Sequence, residues 1–228
     1  LFGYDQADYE KLFAEKIDLL LQLNDKERIT WNGRLRKPLN DAEIAPRPVQ
    51  QALPIWVGVG GSPESAERAG TLGANMALAI LGGEYAKFKP LVEIYREAGV
   101  KAGHNPQTLQ IAVTGHGYGA KTSQQARDEF YPYYANYCKH FMRRSGRESI
   151  ITLGDFEQLA APNHGLFVGS PQEITEKILH QHELFGHNRF IAQIDIGGLP
   201  FSQVAAAIEL LAAEVAPAIR RATTHIHQ

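Results

Sequence analysis

At 228 residues, with 44% hydrophobic and 21% charged positions, the chain has the make-up of an ordinary soluble globular protein long enough for one sizeable domain. Its formal net charge of −2 argues against a nucleic-acid or anionic-membrane partner. Cys138 is the sole cysteine, which excludes an internal disulfide and a multi-cysteine metal site and fits the reducing cytoplasm; no stretch approaches the roughly 20 apolar residues of a membrane span, and no signal peptide is seen.

Asp8 is placed to cap a helix running to about Leu23, with Leu12, Phe13, Ile17, Leu20 and Leu21 on one apolar face. Trp31-Asn32-Gly33-Arg34 reads as a turn and Pro38 to Pro54 as a proline-bearing loop. Ile55 to Val59, after Pro54, is too short for a helix and reads as a buried strand. A helix opening at Ser62-Pro63 and ending near Gly70 or Gly73 follows. Met76 to Leu81 is a second strand closed by Gly82-Gly83, and a helix runs from about Glu84 to Gly103. Leu109 to Thr114 is a third strand, ending in Gly115-His116-Gly117. Thr122 or Ser123 caps a long helix to about Met142, rich in Tyr and Phe. Residues 143 to 165 are irregular and polar, with a short helix around Asp155 to Ala160. Ser170 caps a further helix, with Glu173 completing a capping box, and Gly186 ends it. Phe190 to Ile196 is the fourth strand, closed by Gly197-Gly198, and Ala205 to Ala222 is a terminal helix.

Short apolar strands, each separated by a helix, imply a parallel sheet buried on both faces, and 1–228 reads as a single α/β domain. All four strands end in glycine-rich segments. In parallel α/β folds the C-terminal strand ends carry the active site, so one shared ligand surface is expected there. A doubly wound open sheet and part of an eight-stranded barrel both satisfy the pattern. The dinucleotide fingerprint is incomplete: after Gly58-Val59-Gly60 the third glycine is missing.

The junction Val59-Gly60-Gly61-Ser62-Pro63-Glu64-Ser65 is the sharpest local signal. Gly60 and Gly61 let the backbone turn and approach a ligand, Ser62 caps the helix, and the first-turn amides point outward with the positive end of the dipole behind them. Ser62 and Ser65 hydroxyls can add bonds to an anion, most often a phosphate. An ordinary capped helix without a ligand fits the same residues. Glu64 and Glu67 offset the dipole but stand close to such an anion.

The chain resembles the bacterial luciferase-like family of flavin-dependent monooxygenases, specifically the C-terminal two-thirds of such a protein. The resemblance rests on Leu1-Phe2-Gly3-Tyr4-Asp5, Trp31-Asn32-Gly33-Arg34, Pro54 to Ser62, Leu166-Phe167-Val168-Gly169-Ser170-Pro171 and Gln193 to Pro200, in that order. It implies a (β/α)8 TIM barrel of which this chain holds only strands five to eight. It also implies FMN as cofactor, with its phosphate on the loop after the fifth strand: Gly60, Gly61, Ser62 and Ser65. The implied activity is oxygenation of a small organic substrate by reduced flavin and O₂, the flavin being supplied by a separate reductase. A deazaflavin-dependent oxidoreductase on the same scaffold and a non-catalytic flavin-binding protein or inactive fragment are the alternatives. The family's first four strands, with its basic phosphate partners and its proton-transfer histidine, have no counterpart here. The chain is then either a fragment of a longer enzyme or a shortened relative resembling the family's non-fluorescent flavoproteins, which also lack part of the barrel; the Met-less start favours a fragment. A half barrel leaves edges and one face open, so a homo-oligomer is expected.

Two further residues are candidate catalytic groups. His116, at a strand end between two glycines, can bond a flavin carbonyl or act on substrate, or be an exposed loop histidine. Asp195, between Ile194 and Ile196 in the last strand, is an inward carboxylate that touches the site or pairs structurally, and Gln193 shares its face. Residues 143–165 are a candidate lid. His180 and His182 do not face one another on a helix, and His225 and His227 lie in the tail, so no metal site is expected. Trp56, Cys138 and the tyrosines 131, 133, 134 and 137 are expected in packing roles.

Overall fold

Asp8 does occupy the N-cap of α1 (Tyr9–Asp25), yet its carboxylate makes no cap bond and instead accepts from Lys11 Nζ at 3.0 Å. The computed structural model describes residues 3–144 and 150–224 and falls into two compact units, Leu1–Ile55 and Trp56–Gln228, a division that the reading of 1–228 as one domain does not make. Leu1 and Phe2, part of the opening motif, and His225 and His227 lie outside the described residues, as does 145–149 of the candidate lid.

In the first unit α1 packs Leu19 against Ile29 and Trp31, while Leu20, expected inward, is exposed. β1 (Arg28–Trp31) pairs antiparallel with β2 (Leu39–Glu43). β2 corrects the expected loop over 38–54. Its LNDAE sequence lacks the apolar alternation that marks a strand, and it is held by Arg28, whose guanidinium clasps the Asp41 carboxylate through two bonds of 2.9 and 2.8 Å. The 31–34 turn is set by Glu15, whose carboxylate accepts from the backbone N–H of Arg34 and Leu35.

The second unit is a parallel sheet with its crossover helices. β3 (Trp56–Val59) leads through α2 (Pro63–Thr71) to β4 (Asn75–Ala79). α3 (Lys89–Lys101), preceded by a 3₁₀ turn at Tyr85–Phe88, leads to β5 (Ile111–Gly119). Then come α4 (Ser123–Arg144), α5 (Leu153–Ala160), β6 (Phe167–Gly169), α6 (Pro171–Phe185) and β7 (Arg189–Gln193). The chain closes with α7 (Phe201–Leu210), a π-helical turn at Leu211–Val215 and α8 (Ala216–Thr224). The four expected strands are β3, β4, β5 and β7, in the order β3-β4-β5-β7, all parallel. β6 was not expected; it pairs with the last three residues of β5, which extends five residues beyond the expected end at Thr114.

Directly paired residues share a face of a parallel sheet. Val57, Val59, Met76 and Leu78 lie on one face and are buried. Trp56, Gly58, Ala77, Ala112, Thr114, His116, Ile191 and Gln193 share the other. Across that second face the Arg189 guanidinium lies 4.8 Å from the Trp56 ring. The helices over the first face approach closely: a Cβ on Gly70 of α2 would lie 2.2 Å from the Tyr95 carbonyl of α3.

One apolar cluster joins α4, α5, β6 and α7. Tyr118 stacks on Phe130 at 5.4 Å, and Tyr134, Phe156, Ile194 and Val204 fill in around them. Residues 143–165 are not merely irregular: Thr152 and Asp155 form a capping box that starts α5. At Ser170 only half of the expected box forms, because the Glu173 carboxylate is taken by Ser123 and Arg127. The run Phe201–Thr224 is long and apolar enough to cross a membrane by length and composition. That corrects the expectation of no such stretch; the run is built largely of Ala, Leu and Ile, with Glu209 and Glu214 inside it.

Candidate functional site

The β3–α2 turn is built as its residue types dictate. Gly60 and Gly61 are exposed, Gly61 has φ +128°, and a Cβ on either would meet nothing within 4 Å, so backbone is open to an approaching group. Ser62 is the N-cap: its Oγ accepts from Ser65 N–H at 3.3 Å, and Pro63 opens the helix. The Ser62 hydroxyl also donates to Glu64 Oε2 at 2.6 Å, and that bond is the first cause holding the Glu64 carboxyl below its ordinary pKa. The anion-attracting end of α2 therefore already carries its own carboxylate. Arg68, one turn on, donates to Ser65 Oγ at 3.3 Å and brings a cation to the same corner.

His116 is not an exposed loop residue. It lies inside the long β5, 2% exposed, in register with Gln193 of β7. Tyr137 and Tyr134 of α4 meet its ring edge-on at 4.8 and 6.0 Å. Neither ring nitrogen has a hydrogen-bond partner of regular geometry. Burial pushes its pKa down, and Gln193 opposes that shift more weakly. The result is a neutral imidazole with unmet bonding capacity. An orphaned buried ring of this kind usually has a ligand, a water or a functional reason.

Asp195 lies two residues past the end of β7 and is exposed, whereas the sequence reading puts it inward within the strand. Ile194 and Ile196 beside it are the buried members. The loop that carries them docks on α4: Asn136 Nδ2 donates to the Gly197 carbonyl at 2.9 Å, and a Cβ on Gly197 would lie 1.8 Å from the Tyr133 carbonyl oxygen. The structure thus brings His116, Gln193 and the 194–198 loop together under α4. Among the described residues, no hydrogen bond or ring contact joins His116 or Asp195 to Gly60–Ser65. The tyrosines of α4 and Cys138 pack in the core, and burial raises the Cys138 thiol. His180 Nδ1 meets the Tyr85 hydroxyl at 2.6 Å and His182 Nδ1 meets the His187 carbonyl at 2.6 Å. Among the described residues, no group of three His, Cys, Asp or Glu side chains could hold a metal ion.

Sequence reasoning passed over Lys177. It is 7% exposed, and its ammonium donates to the Ala160 carbonyl at 2.9 Å and the Leu166 carbonyl at 2.7 Å. Those bonds, with Tyr85 N–H on the Asn163 carbonyl and Gly165 N–H on the Gly83 carbonyl, tie the end of the candidate lid to α6 and to the Gly82-Gly83 turn. The signal was present: Lys177 shares the helical stripe of Ile174, Ile178, Gln181 and Phe185, all buried.

A family model described as luciferase-like monooxygenase matches residues 1–188. No curated protein matches the chain. Among solved structures, a monooxygenase, RslO1, from Streptomyces bottropensis is 24% identical with a TM-score of 0.76 over 95% of this chain. This chain spans 63% of that protein's length, under two-thirds. The oxygenating constituent of 3,6-diketocamphane monooxygenase from Pseudomonas putida, a type II Baeyer-Villiger enzyme in complex with FMN, is 22% identical, with a TM-score of 0.70 over 95% of this chain and 69% of its own. An F420-dependent secondary alcohol dehydrogenase, in complex with an F420-acetone adduct, is 16% identical, with a TM-score of 0.66 over 96% of this chain and 65% of its own. At these identities the structural likeness establishes the α/β fold with its parallel sheet, and the family match carries the rest: the chain belongs to the luciferase-like monooxygenase family.

Proposed function

We propose that the chain is the strand-five-to-eight portion of a luciferase-like (β/α)8 barrel and that it binds FMN to oxygenate a small organic substrate. The observation that carries this is the β3–α2 turn. Two exposed glycines with open space above them lead into a serine-capped helix N-terminus, a cradle of the kind that takes phosphate. Ser62 and Ser65 hold the phosphate through their hydroxyls, Gly60 and Gly61 let it approach the backbone, and Glu64 releases Ser62 to admit it. Reduced FMN, delivered by a separate reductase, supplies the oxygen chemistry when bound. His116, neutral through burial, presents one ring nitrogen as donor and the other as acceptor to whatever lies against β5 and β7. Asp195, exposed beyond the C-terminal end of β7, is the second candidate catalytic group. The working protein is a cytoplasmic homo-oligomer. A solved relative in complex with FMN supports the cofactor, and an F420-dependent relative supports a second reading, a deazaflavin oxidoreductase on the same scaffold.

Parallel titrations with FMN and F420, followed by shifts in each chromophore's visible bands, separate the readings. Saturable binding of FMN in preference to F420 supports the proposal. Preference for F420 transfers it to the second reading, and binding of neither overturns both.

A further inference from the structure

Chain order and sheet order coincide along β3-β4-β5-β7, all parallel. Right-handed crossovers that each step the same way put their packing helices on one face of the sheet. The second face is left mostly bare, although a parallel sheet ordinarily has both faces covered. On it α4 lies over His116, but Gly58 and Gln193 are exposed, Ile191 is 43% exposed, and a Cβ on Gly58 would meet nothing within 4 Å. Both edges are open as well: among the described residues β3 pairs with β4 alone and β7 with β5 alone. The bare face is concave. β3 and β7 stand three strands apart, about 14 Å on a flat sheet, yet Arg189 reaches the Trp56 ring across it. Both are the first residues of their strands, so this contact sits at the rim, where the cation stays in water.

We propose that the occupant of this face is a second copy, and that two chains related by a twofold axis along the strands close one eight-stranded barrel. The symmetry fits the edges. It sets β7 of each copy parallel to β3 of the other at two identical seams and leaves no edge of the four-strand path unpaired. A β7–β7 or β3–β3 contact would leave the other edge bare. Eight strands is also the number at which inward side chains just fill a barrel. The inward residues are complementary in size. Gly58 of β3 carries no side chain, and Ala79 and Thr114 are small, whereas Ile191, in register with Thr114, is large and lies on the β7 edge. At each seam Ile191 of one copy comes beside β3 of the other, where Gly58 leaves room. The second copy also walls in His116 and Gln193, so the candidate site is complete in the pair. The assembly rests on the barrel reading above but not on flavin binding.

Sedimentation equilibrium of the full chain without flavin, with hydrogen exchange on the same samples, tests it. The expected result is a dimer with a Kd below about 1 µM. Amides of 56–59 and 189–193 should be protected together at high concentration and exchange together on dilution below the Kd. Ile191→Glu puts a charge inside the closed barrel and should weaken association roughly tenfold or more, with the fold of the dilute monomer unchanged. Gly58→Gln, at a position where the single chain has open space, should weaken it likewise by filling the seam. A monomer at about 100 µM, growth beyond two copies, a dimer in which those two segments stay unprotected, or association indifferent to both variants overturns the proposal. A monomer that nonetheless binds FMN removes the assembly and leaves the cofactor reading standing; a dimer with both segments protected that binds no FMN supports the assembly and removes the cofactor reading.

Discussion

Lys177 provides a pH test of how the segment after α5 is held. Its ammonium is buried beneath that segment, on the Ala160 and Leu166 carbonyls, with Glu173 and Arg127 the charged neighbours that act on it. Burial, the largest cause, lowers its pKa from 10.5 to about 8; Glu173 raises it and Arg127 lowers it. Below about pH 8 the group is protonated in both folded and unfolded chains, and above 10.5 it is neutral in both. Between those limits the unfolded chain keeps a proton that the folded chain has lost, so stability rises with pH. From about pH 7 to about pH 9.5 the gain is about 2 kcal/mol, at ~1.4 kcal/mol per unit. For a unit of this size that is about 4–8 °C in Tm. The window stops there because burial pushes the phenols of Tyr85, Tyr118, Tyr134 and, to about 12, Tyr95 upward, and their unfolded-state ionisation removes stability at higher pH. Lys177→Met keeps the chain length but leaves two carbonyls without their donor, costing about 1–3 kcal/mol for each. Calorimetric melts of parent and variant across the window provide the readout. The parent-minus-variant difference in Tm should grow with pH by about 4–8 °C. Profiles that stay parallel would refute the burial of a charged amine at this place.

Other perturbations have equally definite outcomes. Gly197→Ala combines φ +66° with a Cβ 1.8 Å from the Tyr133 carbonyl oxygen, so it should cost about 2–5 kcal/mol in denaturant melts; a cost under about 0.5 kcal/mol would mean the loop does not dock on α4. Glu64→Gln removes the carboxylate held by Ser62 and should tighten orthophosphate and FMN binding, more at low salt than at high salt; unchanged or weaker binding would count against an anion at this turn. Burial lowers the His187 pKa from 6.5 to about 4, with His182 adding to the shift. The unfolded chain therefore takes up a proton first on acidification, and about 3 kcal/mol of stability is lost between those values. His187→Gln should flatten that part of the acid profile. The same logic puts the His116 ring titration, followed by NMR, below that of an exposed histidine.

The parallel sheet was legible because its strands are short, apolar and separated by helices with clear caps, and residues 60–65 carry their turn in their own side chains. What escaped was set at long range. β2 is held by a clasp from Arg28 thirteen residues back, not by apolar alternation. β5 continues past its apolar run because its glycines allow β6 to approach: a Cβ on Gly117 would sit 2.7 Å from the Phe167 carbonyl oxygen. That extension moves His116 from a strand end into the interior and puts Asp195 outside. The apolar flanks of Asp195 are buried against α4 and α7, and nothing in the local sequence announces that packing. Lys177 was readable from its stripe, but a lysine on a buried face is too rare to be expected there.

Comparing FMN with riboflavin tests the central claim most directly, because the two differ only by the phosphate assigned to Gly60, Gly61, Ser62 and Ser65. Flavin-fluorescence titrations on the parent and on Ser62→Ala/Ser65→Ala are the measurement. The account predicts that FMN binds the parent roughly tenfold or more tightly than riboflavin, and that the double substitution removes most of that preference. Equal affinity of the parent for the two flavins, or a preference that survives the double substitution, would contradict it.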